Sequence, residues 1–334
     1  MTPVFSILIA NYNYADYVGE AIDSALGQTH PAVEVIVVDD GSRDGSRAVI
    51  EARAGIRTIF QENRGHVAAA ARALDEARGD IVIFLDADDR LRPTTCARIA
   101  ALWRDDLHAL QFRLELIGAV ERAGETLPRY PFEHGATRDH VLKTGSLTYP
   151  PTSGNAFSTE FARRVFALSD GMKYSGFDTW LCFAAAVTEQ VISVDEVLGD
   201  YRVHPANMSQ PGRRRSFKAI RQDIYYAYHA QQSAFRVARS YGVEIAPPAH
   251  LIGPYYLTWY LLLRGIPASD WDIPAVPRWS GLATGLANFR HLATIGARRR
   301  IVAMVALTVI AVAPRALRRL IAKHWYHYVD DVGF

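Results

Sequence analysis

Two stretches of this chain run from apolar residues straight into carboxylates: Val35-Ile-Val-Val-Asp-Asp-Gly-Ser42 and Ile81-Val-Ile-Phe-Leu-Asp-Ala-Asp-Asp89. Carboxylates at a strand end, where the backbone leaves a sheet, can converge on a hard divalent cation and the phosphates it carries. Asp86 and Asp88 are two apart and face one way on a continued strand, whereas Asp89 faces the other, so Asp86 and Asp88 make the better metal pair. At the first stretch, Asp39 or Asp40 can accept hydrogen bonds from a uracil imide or a ribose hydroxyl, and the glycines let the backbone approach a ligand. A solvated polar turn is the competing account, with Ser42 and Asp44 capping the next helix.

These residues need a scaffold, and the first half of the chain supplies one. Strand-like runs at Val4–Ala10, Val33–Asp39, Arg57–Gln61 and Ile81–Leu85 alternate with helical patterns at Ala21, Ile22, Ala25 and Leu26 and across the Ala-rich Val67–Ala77. This βαβ order predicts an α/β fold, a mainly parallel sheet covered by helices on both faces, with ligands beyond the carboxyl ends of the strands. From Leu110 to Pro150 the pattern weakens into mixed strands and loops. Helices are predicted at Phe161–Leu168 and Thr179–Val187, and a strand at Val191–Val203. After His204-Pro-Ala-Asn207 the sequence turns Tyr- and Arg-rich and helical, which places a domain boundary near Gln210: residues 1–210 as catalytic domain, 211–334 as a helical region.

The 334 residues, 49% hydrophobic and 22% charged, specify a globular protein. Cys96 and Cys182 lie far apart in apolar sequence, giving neither a disulfide framework nor metal spacing and fitting a reducing cytosol. The N-terminus shows no basic leader, and no apolar stretch reaches the ~20 residues of a spanning helix, Ile301–Ala313 coming nearest.

Together with Ser6-Ile-Leu-Ile-Ala-Asn-Tyr-Asn13, Gln28-Thr29, Asn63-Arg-Gly65, Gly176-Phe-Asp-Thr-Trp-Leu181 and Tyr201-Arg-Val-His-Pro-Ala-Asn-Met-Ser209, the two acidic stretches resemble family 2 glycosyltransferases over residues 4–210. The resemblance implies a Rossmann-like GT-A fold, a nucleotide-sugar donor such as a UDP-sugar, a divalent cation (Mn2+ or Mg2+) and transfer with inversion. By position it implies that Tyr12 stacks on the base and that Asp40 reads it with Asp39 alongside. Ala10, Asn63, Gly65 and Ala87 complete the donor contacts. Asp88 falls on the principal metal ligand, Asp86 on a contact to ribose or metal, and His204 near the diphosphate or metal. Arg202 can bind phosphate as a fork donor.

Asp178 falls where the family has its base, on the side of the sugar opposite the diphosphate, to take the proton of the attacking hydroxyl. Phe177 replaces the Glu that usually precedes it and, as an apolar neighbour, should raise the Asp178 pKa. A helix N-cap is the alternative role for Asp178. Ala70 and Ala71 stand where the family commonly has Arg and Asn, so those donor contacts are missing; His66 is either a partial substitute or a solvated helix-start residue.

The formal charge of +2 hides an asymmetry: Ile273 to Val329 contain no Asp or Glu but nine Arg and Lys. Past Pro314, Leu317, Leu320, Ile321, His324, Trp325 and Tyr328 share one helical face, with Arg315, Arg318, Arg319 and Lys323 on most of the other. Such a helix either lies on an anionic membrane surface, near a glycan or lipid-linked acceptor, or packs on the protein. No nucleic-acid-binding module accompanies these charges. Asn11-Tyr-Asn-Tyr14 is not the Gly-rich loop of a nucleotidyltransferase or an NAD enzyme. A non-catalytic nucleotide- or glycan-binding subunit is the rival from another class.

Overall fold

The computed structural model describes residues 2–118, 122–135, 137–169, 176–205, 207, 217–245, 261, 278–291, 297–314, 316–318 and 320–321. The chain divides into two compact units, residues 1–134 with 148–206, and residues 135–147 with 207–334.

In the first unit, strands β1 (Phe5–Asn11), β2 (Val33–Asp39), β3 (Arg57–Phe60) and β4 (Ile81–Asp86) are parallel, in the order β3-β2-β1-β4. Helices α1 (Val18–Leu26), α2 (Ser46–Glu51) and α3 (His66–Glu76) make the crossovers. Side chains alternate across a strand, so Phe5, Ile7 and Ile9 pack with Val18, Ala21 and Ile22 of α1, while Leu8 and Phe84 share the other face with Ala70 and Ala73 of α3. Burial on both faces is why these strands read as unbroken apolar runs.

Beyond β4 the sheet becomes mixed. It continues through β5 (Arg90–Leu91), α4 (Thr95–Leu102), β6 (Ala109–Gly118), β7 (Thr126–Leu127), β8 (Asn155–Ser158), α6 (Thr159–Leu168), α7 (Phe177–Thr188) and β9 (Val191–Val203). The full order is β3-β2-β1-β4-β8-β6-β9-β5, with β7 beside β6. Short β8 is antiparallel to both β4 and β6 and so carries the sheet across to β9, which runs parallel to β6 and ends at the acidic edge.

The second unit contains α5 (Thr137–Thr144), α8 (Phe217–Ser240), α9 (Arg278–His291) and α10 (Ala297–Val312). Helix α8 buries Ile224, Ala227, Gln231, Ala234 and Ala238, one stripe at helical spacing. Helix α9 packs on α10, with Gly285 against Leu307: a Cβ there would lie 2.5 Å from Leu307 Cδ2, so the leucine side chain would have to shift to admit one. Among the described residues no helix is long and apolar enough to cross a membrane. Of the proposed tail helix, Arg315, Arg319, Lys323, His324, Trp325 and Tyr328 lie outside the described residues; Leu317 and Leu320 are exposed, and Arg318 donates to the Leu261 carbonyl at 3.1 Å.

Candidate active site

Strand register sets the site. Ala10 is the partner of Asp86 across β1 and β4, and Asn11 is the partner of Asp39 across β1 and β2, so the carboxylates leave the sheet side by side at its carboxyl edge.

At the β2 end both acids are buried and bonded. The Asn11 amide donates to Asp39 Oδ2 at 2.7 Å and the Ser42 N–H to Oδ1 at 2.9 Å. Asp40 Oδ1 accepts from Gln61 Nε2 at 2.7 Å and the Arg64 N–H at 2.9 Å, and Oδ2 accepts from the Gly65 N–H at 2.8 Å. Asp40 thereby fixes the turn holding Asn63 and Gly65. Gly41, at φ +77°, permits this approach, since a Cβ there would meet the Asn63 amide nitrogen at 2.9 Å. Tyr12, just past the end of β1, is 42% exposed. Asp44 serves the next helix: its Oδ1 accepts from the Ser46 N–H at 2.9 Å.

At the β4 end, Asp88 Oδ2 lies 3.0 Å from His204 Nε2, and Asp86 Oδ1 lies 3.8 Å from His66 Nε2. Strand β4 ends at Asp86 and the chain turns through Ala87 and Asp88, so the alternation expected of a continued strand does not apply. Asp89 is buried and accepts from Ser153 Oγ at 2.7 Å and the Arg202 N–H at 2.9 Å. Burial, reinforced by Asp86, raises the Asp88 carboxyl; Asp89 is raised well above its ordinary value by burial, Asp86 and Asp88.

Arg202 differs from the open phosphate fork expected of it. Its Nε donates to the Asp88 carbonyl at 2.9 Å and its Nη2 to Glu20 at 2.6 Å, and its guanidinium sits 5.4 Å from the centre of the Tyr17 ring. Tyr17 also stacks on His204 at 4.4 Å, and Tyr14 meets that imidazole edge-on at 5.6 Å. Burial and the neighbouring Asp88 and Asp86 push the Tyr14 hydroxyl up to about 12.

Gly176, at φ +106°, occupies the N-cap place of α7, so Asp178 lies within the first turn instead of capping it. Its carboxyl is pushed up to about 6, chiefly by burial and also by Asp86, against the Thr179 N–H and His66, which favour the charge. Phe177 is buried against Phe84 at 4.9 Å, His66 at 5.1 Å and Phe166 at 5.6 Å. His66, the first residue of α3, thus faces Asp86 and Phe177 while its side chain keeps 29% of its exposure. Burial opposes its charge, but Asp86, Asp178 and Asp40 together raise its pKa. With Ala70 and Phe177 it bounds a cavity of about 10 Å³ beside Asp86.

Sequence reasoning missed Tyr14, Tyr17 and Glu20. The repeated tyrosines after β1 were the available signal, of which Tyr12 alone was used. Among the described residues no three His, Cys, Asp or Glu side chains converge as a metal site; Asp88 and His204 meet as a pair.

Residues 6–164 match the family described as Glycosyl transferase family 2. An uncharacterized glycosyltransferase of Nostoc sp. is 35% identical over 214 residues, 60% of this chain and 65% of that protein. The succinoglycan biosynthesis protein ExoO of Rhizobium meliloti is 34% identical over 122 residues, 35% of this chain and 34% of that protein. The chain thus matches less than two thirds of either relative's length. Among solved structures, S. aureus TarS 1–349 in complex with UDP superposes with a TM-score of 0.52 at 15% identity, covering 98% of this chain and 92% of that one. The same fragment with UDP-GlcNAc gives 0.52 at 17% identity, covering 92% and 90%. At such identities the likeness establishes the fold.

Proposed function

Residues 6–164 of this chain belong to glycosyl transferase family 2, and from that premise we propose that the protein is a metal-dependent inverting glycosyltransferase. It moves a sugar from a nucleotide-sugar, a UDP-sugar in this reading, to a hydroxyl of a glycan or lipid-linked acceptor in surface polysaccharide synthesis. The observation that carries the reading is the strand register that sets Asp39 and Asp86 at one carboxyl edge, with Asp88 and His204 3.0 Å apart just beyond it. UDP is the nucleotide in the TarS complex of like fold, and a surface-polysaccharide role is in the name of the Rhizobium relative.

The donor set suits Mn2+ or Mg2+. Such ions bind through one or two carboxylates and take their remaining ligands from substrate phosphates and water. The Asp88–His204 pair, with Asp86 as the second carboxylate, would thus supply the protein side without a ready-made three-residue cluster among the described residues. The bound cation would neutralise charge gathering on the departing diphosphate.

The chain's own residues do the rest. Tyr12 offers an exposed ring for the base, Asp40 holds the Asn63 to Gly65 turn, and Asp39 ties Asn11 to the Ser42 turn. Ala10, the register partner of Asp86, is a short side chain that lets a donor come close to the backbone, whereas Ala87 is buried in the core beneath the turn. Asp178 takes the proton of the acceptor hydroxyl, its raised pKa suiting a base that must hold a proton briefly near neutrality. Arg202, held by Glu20, positions the Asp88 loop through its bond to the Asp88 carbonyl. In this reading the basic segment Ile273 to Val329, which contains no acid, supports attachment to an anionic membrane surface on the cytoplasmic side, beside the acceptor.

Release of UDP from a panel of UDP-sugars, with and without Mn2+, tests the proposal. Mn2+-dependent release that Asp178→Asn abolishes is the expected result. UDP binding with no release from any donor would favour a non-catalytic binding subunit.

A further inference from the structure

Helix α10 has two apolar faces. Leu307, Ile310 and Ala311 are buried, whereas Ile301, Val302, Val305, Val309 and Val312 are exposed, from 43% to 57%. At ~100° per residue, the exposed five fall within an arc of ~100°. Thr308 borders that arc, but its hydroxyl donates to the Met304 carbonyl at 2.9 Å and so asks little of the solvent. Arg298 is exposed at the N-terminal end of the same arc, and Arg299 and Arg300 follow it in sequence. An outward stripe of this kind, with no charged residue from Ile301 to Val312, is what a soluble surface avoids unless something covers it.

We propose that α10 lies in the plane of an anionic bilayer, its Ile and Val arc among the acyl chains and Arg298 at the headgroup phosphates. The inference rests on the membrane-side reading above and names the surface that makes the contact. Its 16 residues span ~24 Å, short of the ~30 Å hydrocarbon core, so the helix lies along the interface and does not cross it. Charge decides between a bilayer and a second copy of the chain. The segment from Ile273 to Val329 carries nine cationic residues and no acid. Self-pairing would set like charges together, whereas anionic lipid supplies the opposite sign.

Sedimentation of the full chain with phosphatidylcholine vesicles, with and without about a third phosphatidylglycerol, is the test. Binding to the anionic vesicles that weakens with salt is expected. The double variant Val305→Asp with Val309→Asp should lose at least tenfold in binding, while Val305→Ile with Val309→Ile keeps it. Both pairs leave Leu307 and Ile310 in place, so circular dichroism and UDP binding should match the parent protein. Equal binding by the Asp variant overturns the proposal. So does light scattering that finds a dimer in the parent and a monomer in the Asp variant, since a second copy would then cover the arc. Absence of binding by the parent to either vesicle sinks the membrane reading itself, and UDP release without vesicles reports separately on the glycosyltransferase reading.

Discussion

His204 Nε2 sits 3.0 Å from Asp88 Oδ2, tying the end of β9 to the acidic turn after β4 across 116 residues of chain. Both side chains are nearly buried, and burial with Asp86 nearby makes the Asp88 charge costly. A cation between Asp88 and a diphosphate would relieve that cost. Asp88→Asn is therefore expected to weaken Mn2+-dependent UDP binding by about 100-fold, and His204→Ala by about 10-fold, as read by calorimetric titration with and without Mn2+. Unchanged affinity in both variants would put the cation elsewhere.

Asp178 has a folded pKa of about 6 against an ordinary 3.8, with burial the main cause. A general base works ionised, so the rate should fall as pH drops below about 6 and level off above it. Stability has the opposite sign. A carboxyl with a raised folded pKa stabilises fully below its unfolded pKa and loses that contribution as pH rises through the folded one. Asp178→Asn should thus abolish turnover, retain UDP binding and stabilise the fold by on the order of 1–2 kcal/mol at pH 8. Urea denaturation at about pH 8 and about pH 4 checks the sign, the gain vanishing at the lower value. Normal turnover by this variant would remove Asp178 from the chemistry.

The parallel half of the sheet was legible because strands covered on both faces must be continuously apolar, as Val35 to Val38 and Ile81 to Leu85 are. The inward direction of Asp89 was not legible from alternation, because β4 ends at Asp86 and a turn closed by the Asp89 N–H on the Asp86 carbonyl at 3.0 Å sets it. Partners brought from afar were not legible. Nothing local pairs Arg202 with Glu20, 182 residues away, or turns His66 toward Asp86. Local periodicity reports which face a residue occupies but not which distant element meets it there. For the same reason β8 did not stand out: four residues wedged between β4 and β6 give too short a pattern.

Asp40 accepts three hydrogen bonds, from Gln61 Nε2 and from the Arg64 and Gly65 N–H groups, and is 2% exposed. An amide in its place has one accepting oxygen and turns an NH2 toward a donor. Asp40→Asn should cost about 1–3 kcal/mol, with amide exchange quickening at Arg64 and Gly65. Hydrogen exchange at those two amides tests this directly; unchanged protection would mean the turn holds without the carboxylate.

Phe177 stands where the resemblance calls for a Glu, and restoring that Glu should fail for a reason of packing. The Phe177 side chain is 1% exposed and touches Phe84, Phe166 and the His66 ring. A carboxylate there would lose the aromatic contacts and bury a charge beside Asp178, whose own charge is already disfavoured. Phe177→Glu should destabilise the first unit by at least about 3 kcal/mol at pH 8 and by less at pH 5, where the new carboxyl can take a proton. Phe177→Leu, which keeps an apolar side chain in the cluster, should cost about 1–2 kcal/mol with little dependence on pH. Thermal unfolding of the two variants across that pH range separates charge from volume, and equal losses at both pH values would show that shape alone keeps the Glu out.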